Sequence, residues 1–191
     1  MAANEQDFSD WCGKTEVSYD IIDPALAERL RTTLLRGEQT PATGVLPTLG
    51  HWCYFQSPAP ADLLGEDGHP QRGGFLPPIA LPRRMWAGGS LEFLAPIPIG
   101  ATLSRHSTIG SIQAKEGRSG KLVFVSITHD YWQEETKLIT ERQDLVFREA
   151  AIKGNTASAN NKTTTLPPPE ETPTPLHSQT LRGDAVTLFR F

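Results

Sequence analysis

Residues 73–100 cannot form one continuous helix, and that exclusion organises the reading of the whole chain. The prolines from Pro77 to Pro98 each lack an amide donor and crowd the residue before them. The stretch must be a loop that enters a strand, with residues 90–94 as the strand core. Gly88 and Gly89 let the backbone approach a neighbour closely, and Pro96 and Pro98 mark the strand's exit at a sheet edge or bulge.

The same loop presents Arg83, Arg84 and Trp86. Two arginines beside an indole fit an anionic, partly apolar ligand. Arginine beside tryptophan also packs and stacks in purely structural settings, and residue types alone leave both readings open.

A chain of 191 residues holds one domain with tails, or at most about one and a half. Its 38% hydrophobic and 21% charged residues describe a soluble protein, with the apolar share lowered by 16 Pro and 16 Gly. A net charge of −4 gives no basic field, and no Lys/Arg run carries interleaved aromatics, so nucleic acid is not an expected partner. No apolar run approaches the ~20 residues needed to cross a bilayer, so no membrane association is expected. The first residues lack the cationic and apolar regions of a signal peptide and the arginines of a transit peptide. A cytoplasmic location is expected, with a mitochondrial one as the alternative. Cys12 and Cys53 have no metal-ligand spacing and read as small hydrophobes or surface thiols; no metal and no cofactor is expected.

Taken in order, residues 14–22 read as a strand in which Val17, Tyr19 and Ile21 alternate with Glu16, Ser18 and Asp20. Asp23 is the expected cap of a helix with Pro24 at its first position, a stripe of Leu26, Leu30 and Leu34, and a stop at Gly37. Residues 49–55 hold the densest aromatic cluster. His51 within it reads either as a titrating group over a ligand pocket or as a packed, hydrogen-bonded core residue. Residues 57–72 form a polar loop, with turn chemistry at Asp67-Gly68-His69-Pro70. Residues 102–112 read as an exposed or curved strand, and residues 115–120 as a hairpin loop. Residues 121–131 follow as a strand with Val123, Val125 and Ile127 on one face, and residues 138–148 as the last strand, partly covered on both faces. His106 and His129 are singletons within strands, and His69 and His177 fall in turn or linker sequence; all four read as structural or solvated. Residues 153–179 have the composition of a flexible linker, and residues 184–191 read as a fresh strand, which points to a chain that ends early.

This order of one strand, one helix, an irregular aromatic segment and a run of antiparallel strands is accompanied by four motifs. They are Gly-Gly-Phe-Leu-Pro-Pro at 73–78, Pro-Arg-Arg-Met-Trp-Ala-Gly-Gly at 82–89, Lys-Glu-Gly-Arg-Ser-Gly at 115–120 and Glu-Arg-Gln-Asp-Leu-Val-Phe-Arg-Glu at 141–149. Together they resemble the N-terminal half of double-hotdog, MaoC-like dehydratases, and within them the group of mesaconyl-C4-CoA hydratase and type 2 hydroxyacyl-thioester dehydratase. The resemblance covers about residues 10–150 and the last residues.

The resemblance implies an α+β hotdog fold, a curved antiparallel sheet wrapping a helix. It divides the chain into a disordered N-terminus (1–10), an N-terminal hotdog domain (11–150), a flexible Pro/Thr/Asn-rich linker (151–180) and the start of a second repeat (181–191). It implies a lyase that hydrates an enoyl thioester or dehydrates a 3-hydroxyacyl thioester, carried by CoA or acyl carrier protein. This chain would supply the substrate-binding half, with Arg83, Arg84 and Trp86 toward the carrier phosphates and His51 and Trp52 at the acyl end. In the family the pair that activates water lies in the second repeat, so no catalytic residue is expected here and the chain alone is expected to be inactive. The alternative is a non-catalytic hotdog subunit or acyl-thioester binding module that pairs with a catalytic partner, either a second repeat or a homo-oligomer.

Overall fold

The computed structural model describes residues 8–34, 44–56, 58–65, 67–117, 120–150 and Ala185. Strand β1 (Thr15–Ile21) is followed by helix α1 (Pro24–Leu34), then by β2 (Arg83–Phe93), β3 (Thr102–Gly117), β4 (Gly120–Gln133) and β5 (Thr136–Arg148). Short 3₁₀ turns occupy Ser9–Trp11, Gly50–Cys53 and Ala61–Leu63. All five strands join one antiparallel sheet in the order β1-β3-β4-β5-β2. This is the α+β hotdog arrangement that the resemblance implies.

Helix α1 starts as its sequence requires. Asp23 Oδ1 accepts the Leu26 N–H at 2.7 Å, an N-cap that satisfies one of the amides left free in a first turn. Ala27 and Leu30 are buried, and Ala27 joins Ile22, Leu103, Tyr131 and Ile139 in a cluster at one end of the sheet. The expected stop at Gly37 and the side chain of Leu34 lie outside the described residues.

Register places the odd-numbered residues of β4 and β5 on the inner face, as the alternation of Val123, Val125 and Ile127 requires. A second apolar cluster, with Ile109, Val125, Ile127 and Phe147 at its centre, fills the other end of that face beneath Phe8 and Ile79. Between the two clusters the same face carries Arg105 and Ser107 on β3, His129 on β4, and Glu141 and Gln143 on β5. The inner face therefore reads apolar, polar, apolar along the strands.

Three local expectations change. β2 begins at Arg83, not at 90, because it pairs with β5 from Arg148 onward through a bulge between Trp86 and Gly88. β3 is not an exposed strand. It lies between β1 and β4, and it looks polar because Arg105 and Ser107 point inward, while Leu103 and Ile109 are fully buried and a bulge between Ile109 and Ser111 bends it. In β1 the apolar set faces outward: Ser18 and Asp20 pair with Arg105 and Leu103 on the inner side, leaving Val17, Tyr19 and Ile21 exposed. The close approach expected at the glycine pair is found at Gly89, where a Cβ would collide with the Arg142 carbonyl oxygen.

Cys12 is exposed and Cys53 half-buried, and both are free thiols. The linker expected at 153–179 lies outside the described residues. Of the strand expected at 184–191 only Ala185 is described, and it is helical.

Candidate functional site

The row Ser107, His129, Glu141 runs straight across β3, β4 and β5, each residue opposite the next. The next row toward α1 sets Tyr131 opposite both Arg105 and Ile139. These rows lie beneath the 3₁₀ turn Gly50–Cys53. That turn is bracketed by Leu49 and Phe55, both non-glycine residues at φ values of 68° and 58°, a conformation held only when surroundings over-determine it. The surroundings are identifiable. Asp20 Oδ2 accepts the Phe55 N–H at 2.6 Å, and the Tyr54 hydroxyl donates to the Asp23 carbonyl at 2.9 Å. A side chain at Gly50 would press on Leu46 and Leu30, so glycine lets the turn sit directly on the helix.

Glu141, only 6% exposed, is the focus. Its Oε1 accepts the Trp52 indole N–H at 3.0 Å and its Oε2 accepts the Tyr131 hydroxyl at 2.9 Å. His51 Nε2 lies 3.4 Å from Oε2, in ion-pair range without hydrogen-bond alignment, and neither ring nitrogen has a hydrogen-bond partner among the described residues. Burial pushes the Glu141 carboxyl up, but the His51 ring beside it and donation from Tyr131 and Trp52 outweigh this and hold the group below the usual carboxylate range. Glu141 is thus an ionised, buried acceptor. Burial and the adjacent Glu141 charge push the Tyr131 phenol well above its ordinary value, keeping it a neutral donor.

His51 is 1% exposed. Its ring meets Tyr131 edge-on at 5.0 Å and Phe93 at 6.2 Å. It also borders a cavity of ≈ 390 Å³ whose other walls include Leu46, Leu49, Phe93, Ile97 and Ile139. The lining is mainly apolar, with Thr48 and His51 as its polar residues, and both ring nitrogens of His51 are buried. Farther along the polar band, Ser107 Oγ and His129 Nδ1 share a 2.8 Å hydrogen bond. Burial and the nearby Arg105 charge hold the His129 pKa below its ordinary value, against the opposing pull of Glu141.

Of the expected site residues, His51 and Trp52 meet at Glu141, and Trp52 touches Trp86 ring to ring at 6.3 Å. Trp86 is 62% exposed on β2. Arg83 and Arg84 are not together. As neighbours on a strand they take opposite faces, with Arg83 exposed and Arg84 turned in toward Asp67. Glu141, Tyr131, Arg105 and His129 were missed as site residues. The available signal was Glu141 itself, an acid on the same parity as Ile139, Leu145 and Phe147. Among the described residues no cluster of three His, Cys, Asp or Glu side chains could hold a metal, and no helix is long and apolar enough to cross a membrane.

Comparison with known proteins gives the following likenesses. A family model described as hydroxyacyl-thioester dehydratase type 2 matches residues 49–191. The mesaconyl-C(4)-CoA hydratase of Chloroflexus aurantiacus is 41% identical over 189 residues, which is 97% of this chain and 64% of that protein. The chain therefore spans a little under two thirds of that relative's length. Among solved structures, the ChsH1-ChsH2 complex from Mycobacterium tuberculosis aligns with a TM-score of 0.48 at 12% identity, over 72% of this chain and 89% of the other. The MaoC-like dehydratase from Rhodospirillum rubrum aligns with a TM-score of 0.45 at 14% identity, over 74% and 94%.

Proposed function

The chain belongs to the hydroxyacyl-thioester dehydratase type 2 family, and from that premise we propose that it is an acyl-thioester-binding hotdog that works beside a second hotdog domain. The observation that carries this reading is the mainly apolar cavity bordered by buried His51, whose ring lies beside the Glu141 carboxylate. An acyl chain fills such a space by the hydrophobic effect, with Thr48 and His51 as the polar residues at its wall.

The cavity lies at the end of β2, which pairs only with β5 among the described residues. Around that edge Leu49, Trp52, Met85, Trp86, Phe93 and Leu94 are substantially exposed. Apolar surface of this kind beside an open strand edge favours docking of a second domain. In the reaction proposed for the assembled protein, a base takes a proton from water as it attacks the β-carbon of an enoyl thioester, the α-carbon is protonated, and donors stabilise charge on the thioester oxygen. His51 borders the acyl end, Trp52 stands next to it on Glu141 and against Trp86 on the strand, and the base comes from the second domain. By likeness to the Chloroflexus relative, a mesaconyl thioester is the first substrate to try.

The test compares this chain with a version extended through a second hotdog repeat, measuring binding and hydration of mesaconyl-CoA and crotonyl-CoA. Binding by both and turnover by the extended form alone is the expected result. Absence of thioester binding by this chain would sink the proposal. Turnover by this chain alone, lost in His51→Ala, would move the catalytic centre to the Glu141–His51 pair.

A further inference from the structure

The walls of the cavity beside His51 are joined by backbone hydrogen bonds. One wall is the 45–49 segment and the other is the stretch that leaves β2, residues 93–97. The Leu46 N–H donates to the Ile97 carbonyl at 2.9 Å, and the Ile99 N–H donates to the Gly44 carbonyl at 2.9 Å. The Leu94 and Ala95 N–H groups both donate to the Leu138 carbonyl, at 2.8 and 3.2 Å, and so moor the second wall to β5. Pro47 and Pro96 stand in the two walls, each with a fixed φ. The width of the cavity is therefore set by the chain's own hydrogen bonds.

Size does not choose among small acyl groups in this space. A volume of ≈ 390 Å³ lies within the roughly 300–1,000 Å³ usual for ligand pockets and accommodates a crotonyl or a mesaconyl group alike. Charge does choose. Thr48 and His51 are the polar residues of the lining, which contains no Lys or Arg among the described residues. Ile139 also lines the cavity, and Glu141, on the same face of β5, reaches 3.4 Å from His51 Nε2. Donation from Trp52 and Tyr131 favours the ionised form of Glu141. Whether its imidazole is neutral or protonated, the His51–Glu141 pair carries a single negative charge or none, never a positive one. A carboxylate brought here gives up its hydration and meets no cation among the described residues, and an unpaired buried charge is costly. A hydrocarbon chain has no such cost and gains by leaving water.

We infer that this cavity selects an uncharged acyl group and discriminates against one that ends in a free carboxylate, with Glu141 behind His51 as the negative charge that enforces the choice. The inference rests on the acyl-binding function proposed above and narrows its substrate class. A mesaconyl group is the acyl part of a dicarboxylic acid and keeps one carboxylate free. A crotonyl group has the same double bond beside the thioester and no second carboxylate, so it enters without a charge to pair. The two thioesters are therefore expected to separate by affinity, although both fit.

Calorimetric titration of the full chain at neutral pH with free CoA, crotonyl-CoA, mesaconyl-CoA and the primary amide of mesaconyl-CoA tests this. Free CoA measures the carrier alone, and the amide has the shape of the acid without its charge. Crotonyl-CoA and the amide are each expected to bind at least tenfold more tightly than mesaconyl-CoA. In Glu141→Gln the ratio of amide to acid affinity is expected to shrink threefold or more, and a ratio taken within one variant does not depend on its folded fraction. Acyl thioesters that bind no better than free CoA overturn the acyl-binding function and this inference with it. If the thioesters bind better than free CoA but mesaconyl-CoA matches or exceeds its amide, the inference alone is overturned, as it is by an unchanged ratio in Glu141→Gln. Should that variant prove poorly folded, the ratio in the unmodified chain decides.

Discussion

Replacing Glu141 with glutamine exchanges one heavy atom and removes one charge where β4, β5 and the Gly50–Cys53 turn meet. Each of the two aligned donors, Trp52 and Tyr131, makes a hydrogen bond to an ionised acceptor, worth about 1.5–3 kcal/mol against about 0.5–1.5 kcal/mol for a neutral one. If the amide oxygen stays at the Trp52 side, that bond weakens by about 1 kcal/mol. The amide NH₂ then faces the Tyr131 hydroxyl and His51 Nε2. Tyr131 can turn to accept, but its own proton is then left buried without an acceptor, at about 1–3 kcal/mol. The sum is a loss of about 2–4 kcal/mol, which for a chain of this size lowers Tm by about 5–15 °C at roughly 2–4 °C per kcal/mol. Circular-dichroism melts and urea titrations at pH 7 measure it. The mechanism has a stricter check: in a Tyr131→Phe background the same substitution must cost less, with a coupling of about 0.5–3 kcal/mol. Unchanged stability in Glu141→Gln, or strict additivity in the double variant, would refute the account of Glu141 as an ionised acceptor held by its donors.

Other outcomes follow from the same geometry. Because the folded His129 pKa lies below its ordinary value of 6.5 and the folded Glu141 pKa below 4.5, the unfolded chain binds more protons in acid. Stability is then fully present above about pH 6.5 and declines as pH falls, first through the His129 range and then through that of Glu141; urea midpoints at pH 7.5, 5.5 and 4 read this out, and a flat profile refutes it. Tyr54 is pushed up to about 12, chiefly by burial, and Tyr131 is raised further. The unfolded chain therefore loses these protons first, and stability declines above about pH 10; a midpoint unchanged between pH 9 and 11 would contradict both assignments. Gly89→Ala drives a Cβ into the Arg142 carbonyl oxygen, a backbone atom that cannot swing aside. It should cost about 1–3 kcal/mol, whereas Gly74→Ala, with open space around it, should cost less. Asp23→Ala removes the α1 cap at about 0.5–2 kcal/mol, and an unaltered urea midpoint would show the cap to be idle.

Most of the fold was legible because its signals are local. Asp23-Pro24 starts α1, and the glycine pair at 88–89 marks the bulged close approach of β2 to β5. The alternation of Val123, Val125 and Ile127 gives β4 its inner face. The site was only half legible. His51 and Trp52 stood out as residue types, but their shared partner, Glu141, lies 89 positions from Trp52 and is brought there by strand register, which short-range periodicity does not encode. Arg83 and Arg84 looked like a pair because they are adjacent, and adjacency within a strand means opposite faces.

The reversed reading of β1 has one cause, and it links the fold to the site. Periodicity assigns the apolar residues of an alternating strand to the inside, which holds where the face they meet is apolar. Here β1 pairs with β3 exactly where β3 turns polar, so Ser18 meets Arg105 and Glu16 meets Ser107 across the ladder. Polar groups on an inner face are tolerated when they find partners, and here Ser107 shares a hydrogen bond with His129 while Glu141 accepts from Trp52 and Tyr131. A slip of one residue in any of these ladders would turn the polar set outward and bring the wrong face against α1. Register is therefore fixed by polar pairing as well as by the two apolar clusters. The exposure of Val17, Tyr19 and Ile21 on the outer side is the consequence of keeping a polar row inside the sheet.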